Sequence, residues 1–299
     1  MNSRSSKLRI LYSSLLLLLA LAPHVSAAED VIDIGSRREI FVDRFLIDTL
    51  QGARLELHEP RDEGPVLKFD HPWEGAFSAY VTVIKDGPIY RAYYRGLPDG
   101  QDASEAVTCY AESSDGIHWA KPELGLFDVG GSTRNNIILA NAGWATHNFS
   151  PFIDNRRSGE PGHRYLALGG LASLKNGGPG LFAYTSGDGI HWTKMHDQPV
   201  FKDTGAVFDS QNVSFWSPLE RRYVLYYRKA EKGIRAVARA TSEDFLHWSA
   251  GAPMTFSDTN TEIPSQHLYT NQTAPYFRAP HIYLSTAARF MPNRRVLTA

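Results

Sequence analysis

The chain holds 299 residues, 42% hydrophobic and 21% charged, with 31 Lys+Arg against 32 Asp+Glu. It reads as a globular chain, long enough for one large domain or two ordinary ones, with no basic excess to hold a nucleic-acid backbone. A single cysteine, Cys109, excludes an internal disulfide framework and a zinc–thiolate cluster.

Arg4, Lys7 and Arg9 open the chain, and Ile10 to Pro23 follow as an apolar run centred on Leu15 to Leu19. Val25-Ser26-Ala27 then supplies small residues. The pattern predicts a secretory signal peptide over 1–27, cleaved after Ala27, and a secreted or periplasmic protein whose mature domain covers 28–299. The apolar core of roughly 14 residues is short of the roughly 20 that span a bilayer, so an anchor is the weaker reading. No later stretch is long enough to cross, so no membrane span is expected after cleavage.

A repeat runs through the mature chain. Ser113-Ser114-Asp115-Gly116-Ile117-His118-Trp119 returns as Ser186-Gly187-Asp188-Gly189-Ile190-His191-Trp192, and more loosely as Ser242-Glu243-Asp244-Phe245-Leu246-His247-Trp248. An alternating, Tyr-rich run precedes each copy: Tyr90 to Arg95, Tyr165 to Leu168 and Tyr223 to Arg228; a fourth, Tyr283 to Ala287, has no His-Trp after it. Earlier still stand Asn148, Asn212 and Asn271, with Glu74 in the matching slot of the first unit. Each unit reads as strand, turn, Tyr-rich strand, third strand, Ser-x-Asp-Gly turn, and a fourth strand starting near Trp. With 12% aromatic residues, 24 Gly and 17 Pro, and no long helical period, the chain is expected to be all-β. A four-stranded unit of roughly 60 residues in tandem is a β-propeller blade. The expected blades are 70–130, 135–200, 205–258 and a partial 265–299.

The His-Trp pairs invite a metal reading. His118, His191 and His247 sit at equivalent outer positions of different blades, too far apart to share an ion, so no metal site is expected. Ser and Asp are expected to cap the turn's free N–H groups, and Trp to fill the gap between blades.

These signatures resemble the five-bladed propellers of glycoside hydrolase families 32 and 43; Ser242 to Trp248 is close to the Ser-x-Asp-Leu-x-His-Trp turn of invertase-like enzymes. Ile40 to Asp48 and Gly205 to Asn212 are similar to an uncharacterised group of secreted bacterial proteins placed in that superfamily. The resemblance covers most of 31–290 and implies a five-bladed propeller, which this chain, ending soon after Tyr283, would leave truncated within the fourth blade. The family 32 motifs Asn-Asp-Pro-Asn-Gly, Arg-Asp-Pro and Glu-Cys are absent, so the resemblance speaks to fold more than to reaction. Sialidase Asp-boxes are also similar, but here Gly follows Asp directly.

In such propellers the innermost strand of each blade begins at a central pocket. The equivalent positions here are Glu74, His147-Asn148, Asp209 to Asn212, and Asn271-Gln272. Glycosidic cleavage ordinarily needs two carboxyl groups. Glu74 is the expected general acid and Asp209 the base or nucleophile, in roles that could be exchanged. Asp43 is a third candidate, because N-terminal strands over 31–65 would close the last blade. Asn148, Gln211, Asn212, Asn271 and Gln272 are candidates to bind sugar hydroxyls. Trp73, Phe149 and Trp216 are candidates to stack on a sugar face. Arg95 and Arg228 end Tyr-rich strands at the pocket rim, where they would bind a carboxylate or sulfate, or pair with the nearby acids. Asn148, Asn212 and Asn271 head Asn-x-Ser/Thr sequons, but inner-strand positions argue against glycosylation. No motif points to an organic cofactor, since Gly177 to Gly180 lacks a Lys-Ser/Thr or a following helix; spacing does not speak to a calcium ion on the axis. The expected partner is a carbohydrate, hydrolysed or, in rival readings, only bound by a non-catalytic propeller, cleaved by a sialidase-type enzyme, or met by an inactive fragment.

Overall fold

The computed structural model describes residues 32–98, 102–157, 160, 162–171, 180–231, 233–255 and 267–294; the signal peptide expected over 1–27 lies outside them. The chain divides into two compact units, 1–56 and 57–299. Among the described residues the second unit is built of strands joined by turns, three of them single 3-10 turns.

Three antiparallel four-stranded sheets follow one another, each in simple chain order. The first contains β1 (Ala79–Asp86), β2 (Ile89–Gly96), β3 (Val107–Ser113) and β4 (Ile137–Leu139). The second contains β5 (Ser150–Ile153), β6 (Tyr165–Gly169), β7 (Phe182–Ser186) and β8 (Thr193–Lys194). The third contains β9 (Val213–Ser217), β10 (Arg222–Glu231), β11 (Ile234–Ser242) and β12 (Ala252–Pro253). A fourth group pairs β13 (Leu268–Asn271) with β16 (Ala287–Arg289), and β14 (Ala274–Tyr276) with β15 (Ala279–Leu284). β1 packs on β5, β5 on β9, and β9 on β14. First strands meeting first strands is the arrangement of propeller blades about an axis. A cavity of about 350 Å³ runs there, lined by β1, β5, β9 and the start of β14.

The middle strands show why the Tyr-rich runs belong here. A blade is covered on both faces by its neighbours, so its inner strands are apolar on both sides, unlike those of a one-sided sheet. Every residue of β6 is buried. On β2, Tyr94 packs into its own blade's cluster with Cys109, whereas Tyr93 faces Tyr110 and, from the next blade, Trp192.

The repeated turn is the same hydrogen-bonded object three times. Ser113 Oγ accepts the Asp115 and Gly116 N–H groups; Asp115 Oδ1 accepts those of Ile117 and His118 at 2.8 Å, and its Oδ2 meets His118 Nδ1 at 2.7 Å. The Trp119 indole N–H closes the turn on the Gly116 carbonyl at 3.0 Å. Ser186 to Trp192 and Ser242 to Trp248 repeat these bonds. The fourth position is left-handed in all three, with φ of 79° at Gly116, 78° at Gly189 and 74° at Phe245. A phenylalanine there is strained, and its ring is fully buried against Phe152, Tyr223 and Trp248. Each His is thus occupied by its own Asp.

A second repeated joint locks neighbouring blades. Tyr165 on β6 donates its hydroxyl to Asp86 at the end of β1. Tyr223 on β10 donates to Asp154, just after β5. Tyr283 on β15 donates to Ser217 and, at 3.0 Å, to Glu220, at the end of β9. Arg91 and Arg164 also bond Asp86; burial alone would raise that carboxyl's pKa, but the bonds from Arg164 and Tyr165 outweigh it and lower it.

Two expectations differ from the structure. The described residues of 31–65 form no strand; Asp33, Asp43 and Asp62 instead take the N–H groups two residues ahead (Gly35, Phe45 and Gly64) into local turns, which competes with strand pairing. The outer strand of the first blade was expected just after Trp119, inside a boundary at 130. Only the Glu112–Ala120 bridge forms there, and β4 comes at Ile137–Leu139.

Candidate functional site

Five side chains from three successive blades converge at the heads of the innermost strands. Asp209 stands before β9, His147 follows the 3-10 turn Gly143–Ala145, Tyr80 lies on β1, Arg95 on β2 and Arg228 on β10. Asp209 Oδ1 lies 3.2 Å from His147 Nε2 and accepts the Tyr80 hydroxyl at 3.2 Å; its Oδ2 lies 3.4 Å from Arg228 Nη2. Arg95 holds the Phe77 carbonyl with Nε and Nη2, at 3.0 and 2.8 Å, and aims Nη1 at His147 Nε2 across 3.0 Å. One ring nitrogen therefore faces both a donor and an acceptor, while His147 Nδ1 is buried without a partner among the described residues.

Asp209 is the open member: its side chain is 40% exposed, whereas those of His147 and Arg228 are 10% and 7%. The bond to His147, with the charge of Arg228, outweighs burial and pulls its pKa down to about 2. Tyr80 moves the other way, since burial and then the Asp209 charge hold its proton on. Backbone strain accompanies the geometry. Tyr80 has φ 57°, where the β1–β2 register slips between Ala79 and Thr82, and Phe208 has φ 52°. The Phe208 carbonyl consequently meets the amides of both Asn148 and Asn212, fixing the backbone that carries Asp209.

The expected partner carboxylate, Glu74, is not among the side chains bonded around Asp209. Glu74 is fully buried beneath the first blade; its Oε1 accepts Tyr94 at 2.6 Å, and its Oε2 accepts Lys121 Nζ and the His71 N–H, both at 2.8 Å. No bond joins it to Asp209. The reason lies in hairpin lengths. Glu74 precedes Tyr90 by 16 residues and Asn148 precedes Tyr165 by 17. Yet only Gly87 and Pro88 separate β1 from β2, while a long loop follows β5. Equal counts therefore reach different places: Glu74 stands five residues before β1, whereas Asn148 stands two before β5. Asp43 lies in the unit 1–56, exposed, with its carboxylate on the Phe45 N–H.

Three of the amides, Asn148, Gln211 and Gln272, bond across blades, and Asn212 and Asn271 bond locally. Asn148 bonds both backbone groups of Gly170; Gln211 Nε2 reaches the Val81 carbonyl and Thr82 Oγ1 on β1; Gln272 donates to Gln211; Asn271 accepts from Thr273. Asn212 Oδ1 is buried without a partner among the described residues. Trp73 is half-buried, bonded to Asn136 and stacked on His71, and lines a separate cavity of about 470 Å³ beside the first blade. Phe149 is core, packed on Tyr184 and Trp192, and Trp216 lies under Arg156. Sequence reading missed Tyr80, and also Tyr269 and Arg235, which flank the cluster through Arg228. The Arg228 and Arg235 guanidiniums lie 5.0 and 4.9 Å from the Tyr269 ring. Among the described residues, no three His, Cys, Asp or Glu side chains gather as metal ligands, and no helix is long and apolar enough to cross a membrane.

No protein-family model matches the chain. It is 34% identical over 77 residues to two uncharacterized proteins of Mycobacterium tuberculosis, a match covering 25% of this chain and 23% of each of theirs. Similar solved structures include a fructofuranosidase variant from Schwanniomyces occidentalis (16% identity, TM-score 0.45, covering 66% of this chain and 37% of that one). A glycosyl hydrolase from Bacteroides ovatus is 16% identical, with TM-score 0.44 and coverage of 75% and 68%. An exo-inulinase from Aspergillus awamori is 15% identical, with TM-score 0.42 and coverage of 64% and 42%. The chain thus spans about a quarter of the length of the curated relatives and well under half of two of these enzymes.

Proposed function

We propose that this chain belongs to a secreted, glycoside hydrolase-like propeller protein that engages a carbohydrate at the pocket headed by Asp209. The observation that carries this reading is one ionised, solvent-open carboxylate set among His147, Tyr80, Arg95 and Arg228 at the head of the blades. A carboxylate with a pKa of about 2 is charged at any physiological pH. That suits a base, a nucleophile or a stabiliser of oxocarbenium charge, and not an acid. His147 is the adjacent group able to carry the proton for the leaving oxygen. Secretion rests on the basic, apolar and small residues of 1–27.

The test is release of reducing ends from a polysaccharide panel by the whole protein and by Asp209→Asn. The expected loss is at least about a hundredfold, the scale of a missing acid–base group; unchanged release ends the assignment. A second reading is a non-catalytic carbohydrate-binding propeller. It is favoured by Glu74, whose burial under Lys121 leaves the pocket one carboxylate where cleavage ordinarily uses two. It predicts glycan binding with no reducing ends from the unaltered protein.

A further inference from the structure

The cluster around Asp209 holds more positive than negative charge among the described residues. Arg95 and Arg228 are each 6% exposed, and burying a guanidinium is costly unless the charge is paired and its donors are used. Arg95 has the Phe77 carbonyl. Among the described residues Arg228 has one polar contact, the 3.4 Å approach to Asp209, which leaves most of its donors unused there. Arg235, half-buried on β11, packs on the Tyr269 and Phe290 rings and pairs with no carboxylate among the described residues. Beside these three cations the described residues place one carboxylate, Asp209, bonded to Arg228 and already shared with His147 and Tyr80. The nearby Asp203 is taken by Lys229 and Tyr227.

We propose that Arg228 and Arg235, gathered on the Tyr269 ring beside Asp209, form a subsite for an oxyanion: the carboxylate or sulfate of an acidic sugar. The inference rests on the glycan reading and names the substrate class. An incoming oxyanion supplies the missing negative charge and accepts the unused Arg228 donors in the planar geometry that a guanidinium favours. A sugar acid and a free inorganic anion share this chemistry, and binding measurements separate them.

The experiment is calorimetric titration of the whole protein with digalacturonate, cellobiose, sulfate and inorganic phosphate. Digalacturonate is expected to bind at least about tenfold more tightly than cellobiose, and to weaken with added salt. Arg228→Gln and Arg235→Gln should each weaken digalacturonate about tenfold, the scale of one lost charge-assisted bond, and Arg235→Gln should do so without affecting cellobiose. Asp209→Asn removes the competing internal anion and should tighten digalacturonate severalfold. Arg235 is half-buried, so its variant keeps the test decisive if Arg228→Gln fails to fold. Equal affinity for digalacturonate and cellobiose, or an unaltered digalacturonate affinity in Arg235→Gln, overturns the inference and leaves the glycan reading standing. Tight phosphate or sulfate binding without digalacturonate binding overturns the sugar-borne assignment in favour of a free ion. If no saccharide of either kind binds and polysaccharide is untouched, the glycan reading falls with it.

Discussion

The left-handed position of the repeated turn offers a comparison in which one backbone angle is sustained in three ways. At Gly116 (φ 79°) an added Cβ meets nothing nearer than the Tyr90 ring at 3.9 Å, so Gly116→Ala costs only the left-handed penalty, about 1–2 kcal/mol. At Gly189 (φ 78°) the same atom lands 2.5 Å from the Tyr93 hydroxyl and 3.3 Å from the Tyr165 ring. Tyr93 is fully buried and cannot swing away, so overpacking adds about 1–3 kcal/mol to the same penalty. At Phe245 the sign of the backbone effect reverses. Phe245→Gly recovers about 1–2 kcal/mol of strain but forfeits a fully buried ring, a loss of about 3–5 kcal/mol, and comes out destabilised by roughly 2–3 kcal/mol. Urea titrations of the three variants, followed by tryptophan fluorescence and compared at a common slope, give the order directly. Gly189→Ala costing no more than Gly116→Ala, or Phe245→Gly raising stability, would refute this account of the turn.

Lys121→Met is expected to cost about 3–5 kcal/mol in thermal unfolding because it strands the buried Glu74 carboxylate, and Glu74→Gln in the same chain should restore much of it; a neutral Lys121→Met would return Glu74 to the list of available acids. Tyr165→Phe should lose about 1–2 kcal/mol with its bond to Asp86, while Tyr90→Phe, whose hydroxyl has no acceptor among the described residues, should change stability by less than about 0.5 kcal/mol. Asp209 is depressed to about 2 from an ordinary 3.8, so its stabilisation is complete above about pH 4 and drains as the pH falls toward 2. Asp115, Asp188 and Asp244 are lowered too, and the sign is the same. The urea midpoint should therefore fall between about pH 5 and pH 3, and an unchanged midpoint contradicts the network.

What the sequence made legible was local. Ser, Asp and Gly in the repeated turn bond to N–H groups two and three residues away, so the motif carries its own conformation. The two-sided Tyr-rich strands announce blades, because only stacked sheets bury both faces. The cluster was half legible: counting along the repeat reached Asp209, His147, Arg95 and Arg228, which the structure brings together, although Arg228 lies inside β10 rather than at its end. Glu74 was misplaced because a count along the chain cannot see that a short hairpin and a long one shift where it lands. Tyr80, Tyr269 and Arg235 carry no local signal at all. Tyr80 is placed by a register slip and an uncommon φ, and the other two reach the pocket only through the packing of the third blade against β13.

The tyrosine-to-acid joint has a consequence for how such a chain changes over generations. The second and third units each carry both halves of the joint, a tyrosine for the unit before and an acid for the unit after. A unit copied in tandem would arrive with both halves already in place and would need no redesign at either seam. Blade number is then open to duplication and loss, while the chemistry at the strand heads is free to diverge one unit at a time.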